Sequence, residues 1–300
     1  MSSTIPVIIN ARAGTVGGAD LATRIAALFL AGGIKAEVRE ASTGEEVDAL
    51  IRGAIAENPR ILVIGGGDGT LSTAAATLAG REITLGILPL GTLNHFAKDL
   101  RIPLELEAAV KNIIAGNAIR VDVGEVNDRV FINNSSLGLY PEMVQDRDRK
   151  QKRLGHGKLR SLLSASAGAF RRFFFITVRI VADGKDRRYK TPLLFVGNNE
   201  YQLEGFNIGV RDRIDRGQLS ICIVKHAGWA RLMLFALQTL VGRSRQSRDF
   251  ESVLVTECLI ETRPARLLLA TDGEVAAVTS PLRYRIRPRS LSVIVPNAES

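Results

Sequence analysis

Positions 5–10 form a short apolar run, and 20–31 then repeat apolar residues at helical spacing up to Gly32-Gly33. A second strand is expected at 34–39 and a second helix at 45–57, which stops at Asn58-Pro59. Positions 60–64 are continuously apolar and end in Gly65-Gly66-Gly67. A helix at 70–79 and a strand at 83–88 complete the series. This βαβα alternation predicts a parallel sheet covered on both faces, with ligands at the carboxyl ends of its strands.

Beyond Gly116 the pattern changes. Strands are expected at 118–126 and 129–134, turning at Asn127-Asp128, and helices at 141–152 and 158–173. Further strands are expected at 175–181, 189–196, 219–224, 252–261, 266–270 and 282–287, with one helix at 229–241. Asp183-Gly184 and Asp272-Gly273 read as hairpin turns. The fold class is therefore α/β: a doubly wound domain over 1–122, then a β-rich, sandwich-like domain over 123–289. A cleft between the two is the natural place for a site.

An apolar content of 46% with 24% charged residues excludes a disordered chain. No apolar run approaches the roughly twenty residues of a membrane span. The start reads as a first strand, and Cys222 and Cys258 make neither a disulfide framework nor a zinc site, so a cytoplasmic setting is expected. Both cysteines lie in apolar strands and should be buried. The net charge of +9 is more pointed: positions 141–190 hold fourteen basic and five acidic residues, the same +9. The segment 147–172 is thus expected to meet an anionic membrane surface, with the protein peripherally associated. Arg147, Arg149, Lys150, Lys152, Arg153, Lys158 and Arg160 precede the phenylalanines around Arg171-Arg172, but no nucleic-acid module accompanies them and no nucleic-acid partner is expected. A homodimer is compatible with the sequence.

Gly65-Gly66-Gly67-Asp68-Gly69-Thr70-Leu71 lies between a buried strand and a helix. Its glycines admit a close ligand, and free amides at the helix start favour phosphate. Asp68 is placed for a magnesium ion carried by a nucleotide. It is neither the dinucleotide fingerprint nor the P-loop. A second loop, Leu88-Pro89-Leu90-Gly91-Thr92-Leu93-Asn94-His95-Phe96-Ala97, follows the next strand and should face the same crevice.

These paired loops resemble the diacylglycerol kinase catalytic family, which includes bacterial lipid kinases and the sphingosine and ceramide kinases. The resemblance extends to Asp272-Gly273-Glu274 and covers nearly the whole chain. It implies an ATP-dependent kinase using Mg2+, which transfers the γ-phosphoryl group to a lipid hydroxyl of diacylglycerol type. It also implies that the terminal strand 290–300 can return to complete the first domain.

By the same resemblance Gly66, Gly67, Asp68, Gly69, Thr70 and Leu71 form the phosphate loop, Thr92 and Thr43 touch the nucleotide, and Asn10 and Gly14 belong to the first-strand loop. Asn94 offers a further polar contact on the second loop. Asp272 and Glu274 are the candidates to accept the hydroxyl proton, with Glu274 favoured as base. Ser72-Thr73 replace a common Asn-Glu pair, and His95 replaces an acid. The structural magnesium site of bacterial members would fall on Asp215 and the Gln218 carbonyl, but Arg216 stands where a second acid is usual. Two other functions share parts of this pattern. NAD kinases and phosphofructokinases carry the Gly-Gly-Asp-Gly element, and a non-catalytic lipid-binding protein could use the same fold.

Overall fold

A computed structural model describes residues 4–11, 20–138, 141, 175–201, 203–204, 207–208, 211, 213–224 and 250–297. Gly14, the basic segment 147–172 and, but for position 141, the helices expected at 141–152, 158–173 and 229–241 lie outside them.

The first part runs β1 (Ile5–Asn10), α1 (Leu21–Ala31), β2 (Ala36–Ala41), α2 (Gly44–Ala56), β3 (Ile61–Gly66), α3 (Asp68–Leu78), β4 (Thr84–Pro89), α4 (His95–Asp99) and α5 (Leu106–Ala115). Then come β5 (Ala118–Val126), β6 (Arg129–Phe131), β7 (Asn134–Gly138), β8 (Ile176–Ala182), β9 (Lys185–Thr191) and β10 (Leu193–Asn198). The rest is β11 (Leu203–Glu204), β12 (Asn207–Ile208), β13 (Leu219–Val224), β14 (Phe250–Val255), β15 (Glu257–Arg263), β16 (Arg266–Thr271), β17 (Glu274–Thr279) and β18 (Leu282–Ile294).

Alternation along the parallel strands explains the double winding. Ile8, Leu62, Ile64 and Leu85 pack with Ile51, Leu71 and Leu78 of α2 and α3 on one face. Val7, Ile9, Val63 and Leu88 pack with Ile25, Phe29, Val110 and Ile113 of α1 and α5 on the other. The order β2-β1-β3-β4 is parallel throughout. The sheet then continues through β18, β15, β8 and β9, with β5 also paired to β18 and β6 to β5, to make ten strands. A six-stranded antiparallel sheet, β14-β13-β10-β7-β16-β17, packs on this extension. Val126, Phe131, Val178, Ile180, Ile260 and Tyr284 of the first sheet meet Leu137, Leu194, Val196 and Ile221 of the second.

β18 joins the two halves. Its early residues pair antiparallel with β15, and Ser292 and Val293 pair parallel with Thr84 and Leu85 of β4. A bulge between Arg287 and Leu291 lets the strand shift register against β5 on the way. The expected strand 282–287 is thus the first part of a thirteen-residue one.

Three other expected strands are broken. The stretch 189–196 is β9 and β10 in different sheets, divided at Pro192, which has no N–H to donate to a ladder. The stretch 252–261 is β14 and β15, again in different sheets, divided at Thr256. The stretch 129–134 ends with Phe131, and Asn134 already belongs to β7. All three expected hairpin turns are present, with positive φ at Asn127, Asp128, Asp183, Gly184, Asp272 and Gly273. No helix among the described residues is long and apolar enough to cross a membrane.

Candidate functional site

Strand register creates the site. Gly65 and Gly66 of β3 lie opposite Leu88 and Pro89 of β4, and Ile9 of β1 lies opposite Gly65. The three strands end level, so their loops emerge side by side. A Cβ on Gly91 would stand 2.4 Å from the Cα of Gly67, while one on Gly69 would meet nothing within 4 Å. The first contact is backbone against backbone and admits no side chain. Gly69 instead presents the first turn of α3 to open space, where its amides are available to an anion.

Asn10, at the end of β1, donates from Nδ2 to Thr70 Oγ1 at 3.2 Å. Asp68 Oδ1 accepts the Phe96 N–H at 3.1 Å, so the first residue of α3 caps α4. Asn94, in the left-handed region at φ 51°, accepts the Gly91 N–H and donates to the carbonyls of Pro89 and Gly91. Its amide thus shapes the second loop from within and is buried. Leu71 also faces the core, and its N–H bonds the Gly67 carbonyl. Thr43 and Thr92 are exposed at the carboxyl ends of β2 and β4. Thr43 caps α2 by accepting the Glu46 N–H at 3.1 Å.

The acidic turn reaches this region from the second sheet. Asp272 Oδ2 accepts the Ser72 hydroxyl at 2.6 Å and the Ile132 N–H at 2.8 Å. Its Oδ1 accepts the N–H groups of Asn133 and Asn134 at 2.9 and 3.0 Å. Four donors occupy the acceptor capacity of one carboxylate. Burial pushes the Asp272 carboxyl up from the usual range, and these hydrogen bonds oppose it. Glu274, the first residue of β17, is exposed, and its side chain has no hydrogen-bond or ion-pair partner among the described residues.

The second metal position differs from what the resemblance implies. Both oxygens of Asp215 are held by Arg213, at 2.9 and 2.8 Å, and this holds the Asp215 carboxyl below its usual range. The Gln218 carbonyl accepts the Asn199 N–H at 2.9 Å. Asp122, fully buried, fixes the same turn by accepting the N–H groups of Gly217 and Arg289. Such a donor set, already paired and with Arg216 alongside, does not fit a structural divalent cation. Among the described residues no group of three or more His, Cys, Asp or Glu side chains could hold a metal ion.

Sequence marked Ser72 only as part of a departure from the family pattern, and Asp99 and Arg211 were not singled out. Ser72 lies one helical turn beyond Asp68, a spacing that could have exposed it. Asp99 and Arg211 form a buried ion pair at 2.6 Å across 112 positions, which no local pattern signals.

The Diacylglycerol kinase catalytic domain family matches residues 4–126, and the YegS C-terminal NAD kinase beta sandwich-like domain matches 142–295. The Diacylglycerol kinase of Staphylococcus aureus (strain NCTC 8325 / PS 47) is 28% identical over 254 residues, which is 81% of this chain and 77% of the relative. A crystal structure of a diacylglycerol kinase from Bacillus anthracis str. Sterne superposes with a TM-score of 0.71 at 21% identity, covering 98% of this chain and 97% of that one. A second structure from the same organism reaches 0.77 at 24% identity, over 98% of each chain. These structures share the fold. Two domain matches laid end to end along nearly all of its length make the chain a member of the diacylglycerol kinase family.

Proposed function

We propose that the protein is an ATP-dependent lipid kinase that phosphorylates a hydroxyl of a diacylglycerol-like lipid at the membrane surface. One observation carries this reading: the Ser72–Asp272 hydrogen bond at 2.6 Å ties an acidic turn to the helix that begins in the glycine loop. A phosphoryl donor and a proton acceptor can therefore share one crevice. The open first turn of α3 at Gly69 and Thr70 receives phosphate oxygens. Thr43 and Thr92 offer hydroxyls to the rest of the nucleotide. Magnesium carried with ATP neutralises triphosphate charge, and Asp68 keeps Oδ2 without a partner among the described residues to meet it.

Glu274 then takes the hydroxyl proton as the lipid oxygen bonds to the γ-phosphorus and the bond to ADP breaks. Asp272 has no acceptor site to spare for that proton. Its four hydrogen bonds suit it to hold the turn. ADP release measured with diacylglycerol, a sphingoid base, NAD and a sugar phosphate tests the reading. Turnover is expected with a lipid only, and turnover with NAD or with no lipid overturns it. Glu274→Gln should lower kcat by about a hundredfold or more while ATP affinity, read by calorimetry, stays unchanged.

A further inference from the structure

The Arg211 guanidinium is fully buried and makes hydrogen bonds in two directions. In the first direction, toward α4, Nε and Nη2 donate to Asp99 Oδ2 at 2.8 and 2.6 Å. Toward the second, Nη1 donates to the carbonyls of Ile132 and Asn198 at 2.7 and 2.9 Å, and Nη2 to Asn133 Oδ1 at 3.0 Å. Tyr201 lies against the guanidinium, 5.2 Å from ring centroid to Cζ.

The peptide at 132–134 therefore has Arg211 on its carbonyl side and Asp272 on its N–H side. On the far side of the ion pair, Asp99 is the last residue of α4, whose start is capped by Asp68. The contacts form a closed circuit: α3, α4, Asp99, Arg211, the 132–134 backbone, Asp272, and back to α3 through Ser72. The geometry points to Arg211 as a positioning residue that fixes the acidic turn, and with it Glu274, relative to the glycine loops. A guanidinium is suited to this because one planar fork serves a carboxylate and several fixed acceptors together.

This rests on the assignment of Glu274 as base, so the test separates the two. Arg211→Lys keeps the charge, but its ammonium cannot reach all four acceptors. Its kcat should fall at least tenfold, with KM for ATP within twofold of wild type. In a Glu274→Gln background the same substitution should cost no more than twofold, because the group it positions is already gone. An equal loss in both backgrounds, or a raised KM for ATP with kcat retained, would overturn the positioning role. Wild-type turnover by Glu274→Gln alone would remove the base assignment and this inference together. Should Arg211→Lys fail to fold in a thermal melt, Asp99→Asn, which keeps the shape of the partner, carries the same comparison.

Discussion

Asp68 has a structural task and a proposed chemical one, and they can be separated. Its carboxylate caps α4 through Phe96, and the proposed contact with magnesium requires its charge. Asp68→Asn keeps an oxygen acceptor for the cap, so it should melt like wild type yet lose turnover. Asp68→Ala loses the cap as well and should be less stable by about 1 kcal/mol. Full activity with normal magnesium dependence in Asp68→Asn would remove the residue from the chemistry. Asp68 stood out because it sits inside a glycine run, and Glu274 only through the resemblance of the Asp272-Gly273-Glu274 turn to a family motif. Arg211 did not, since its meaning depends on a partner 112 positions away. The cysteines behave as expected of packing residues. Cys222 and Cys258 are buried, and burial pushes the Cys258 thiol up to about 12.

Among the elements, α3 matters most. It begins at Asp68, two residues before the expected start, because extended Gly67 caps it and Asp68 already has helical geometry. The exchange of an Asn-Glu pair for Ser72-Thr73 is also explained here. Thr73 bonds back to the Gly69 carbonyl within the helix, while Ser72 reaches Asp272. Ser72→Ala removes one donor from a buried carboxylate. A loss of about 1.5 kcal/mol or more is expected in a denaturant titration, together with slower turnover. Unchanged stability would mean that the three amides suffice to hold Asp272. The helix α5, which was not among the expected elements, carries Leu106, Ala109, Val110 and Ile113 on its buried face and ends at Gly116. The break at Thr256 was harder to see, because apolar residues continue on both sides of it, whereas Pro192 itself marks the end of a charged strand.

For the whole molecule, charge and topology set the expectations. The +9 excess is confined to 141–190, and its described end places Lys190 5.7 Å from the centroid of the partly exposed Phe175 ring. Replacing Arg147, Arg149, Lys150, Lys152 and Arg153 with Gln should weaken sedimentation with anionic vesicles and leave binding to neutral micelles intact. Wild-type association should fall as salt rises, since such attraction is screened over about 8 Å at physiological ionic strength. Equal binding by both proteins at low salt would sink the docking proposal.

The pairing of β18 with β4 bears on how the chain is made. Thr84 and Ser292 stand side by side, yet Ser292 leaves the ribosome 208 residues after Thr84. Until then the β4 edge lacks its neighbour, and the parallel-sheet half cannot close by itself during synthesis. That half must wait with an open, apolar strand edge, the kind of surface that recruits holding chaperones or pairs wrongly with another nascent chain. A ribosome stalled before residue 282 should therefore display a protease-sensitive product, and full protection should arrive only with the last strand.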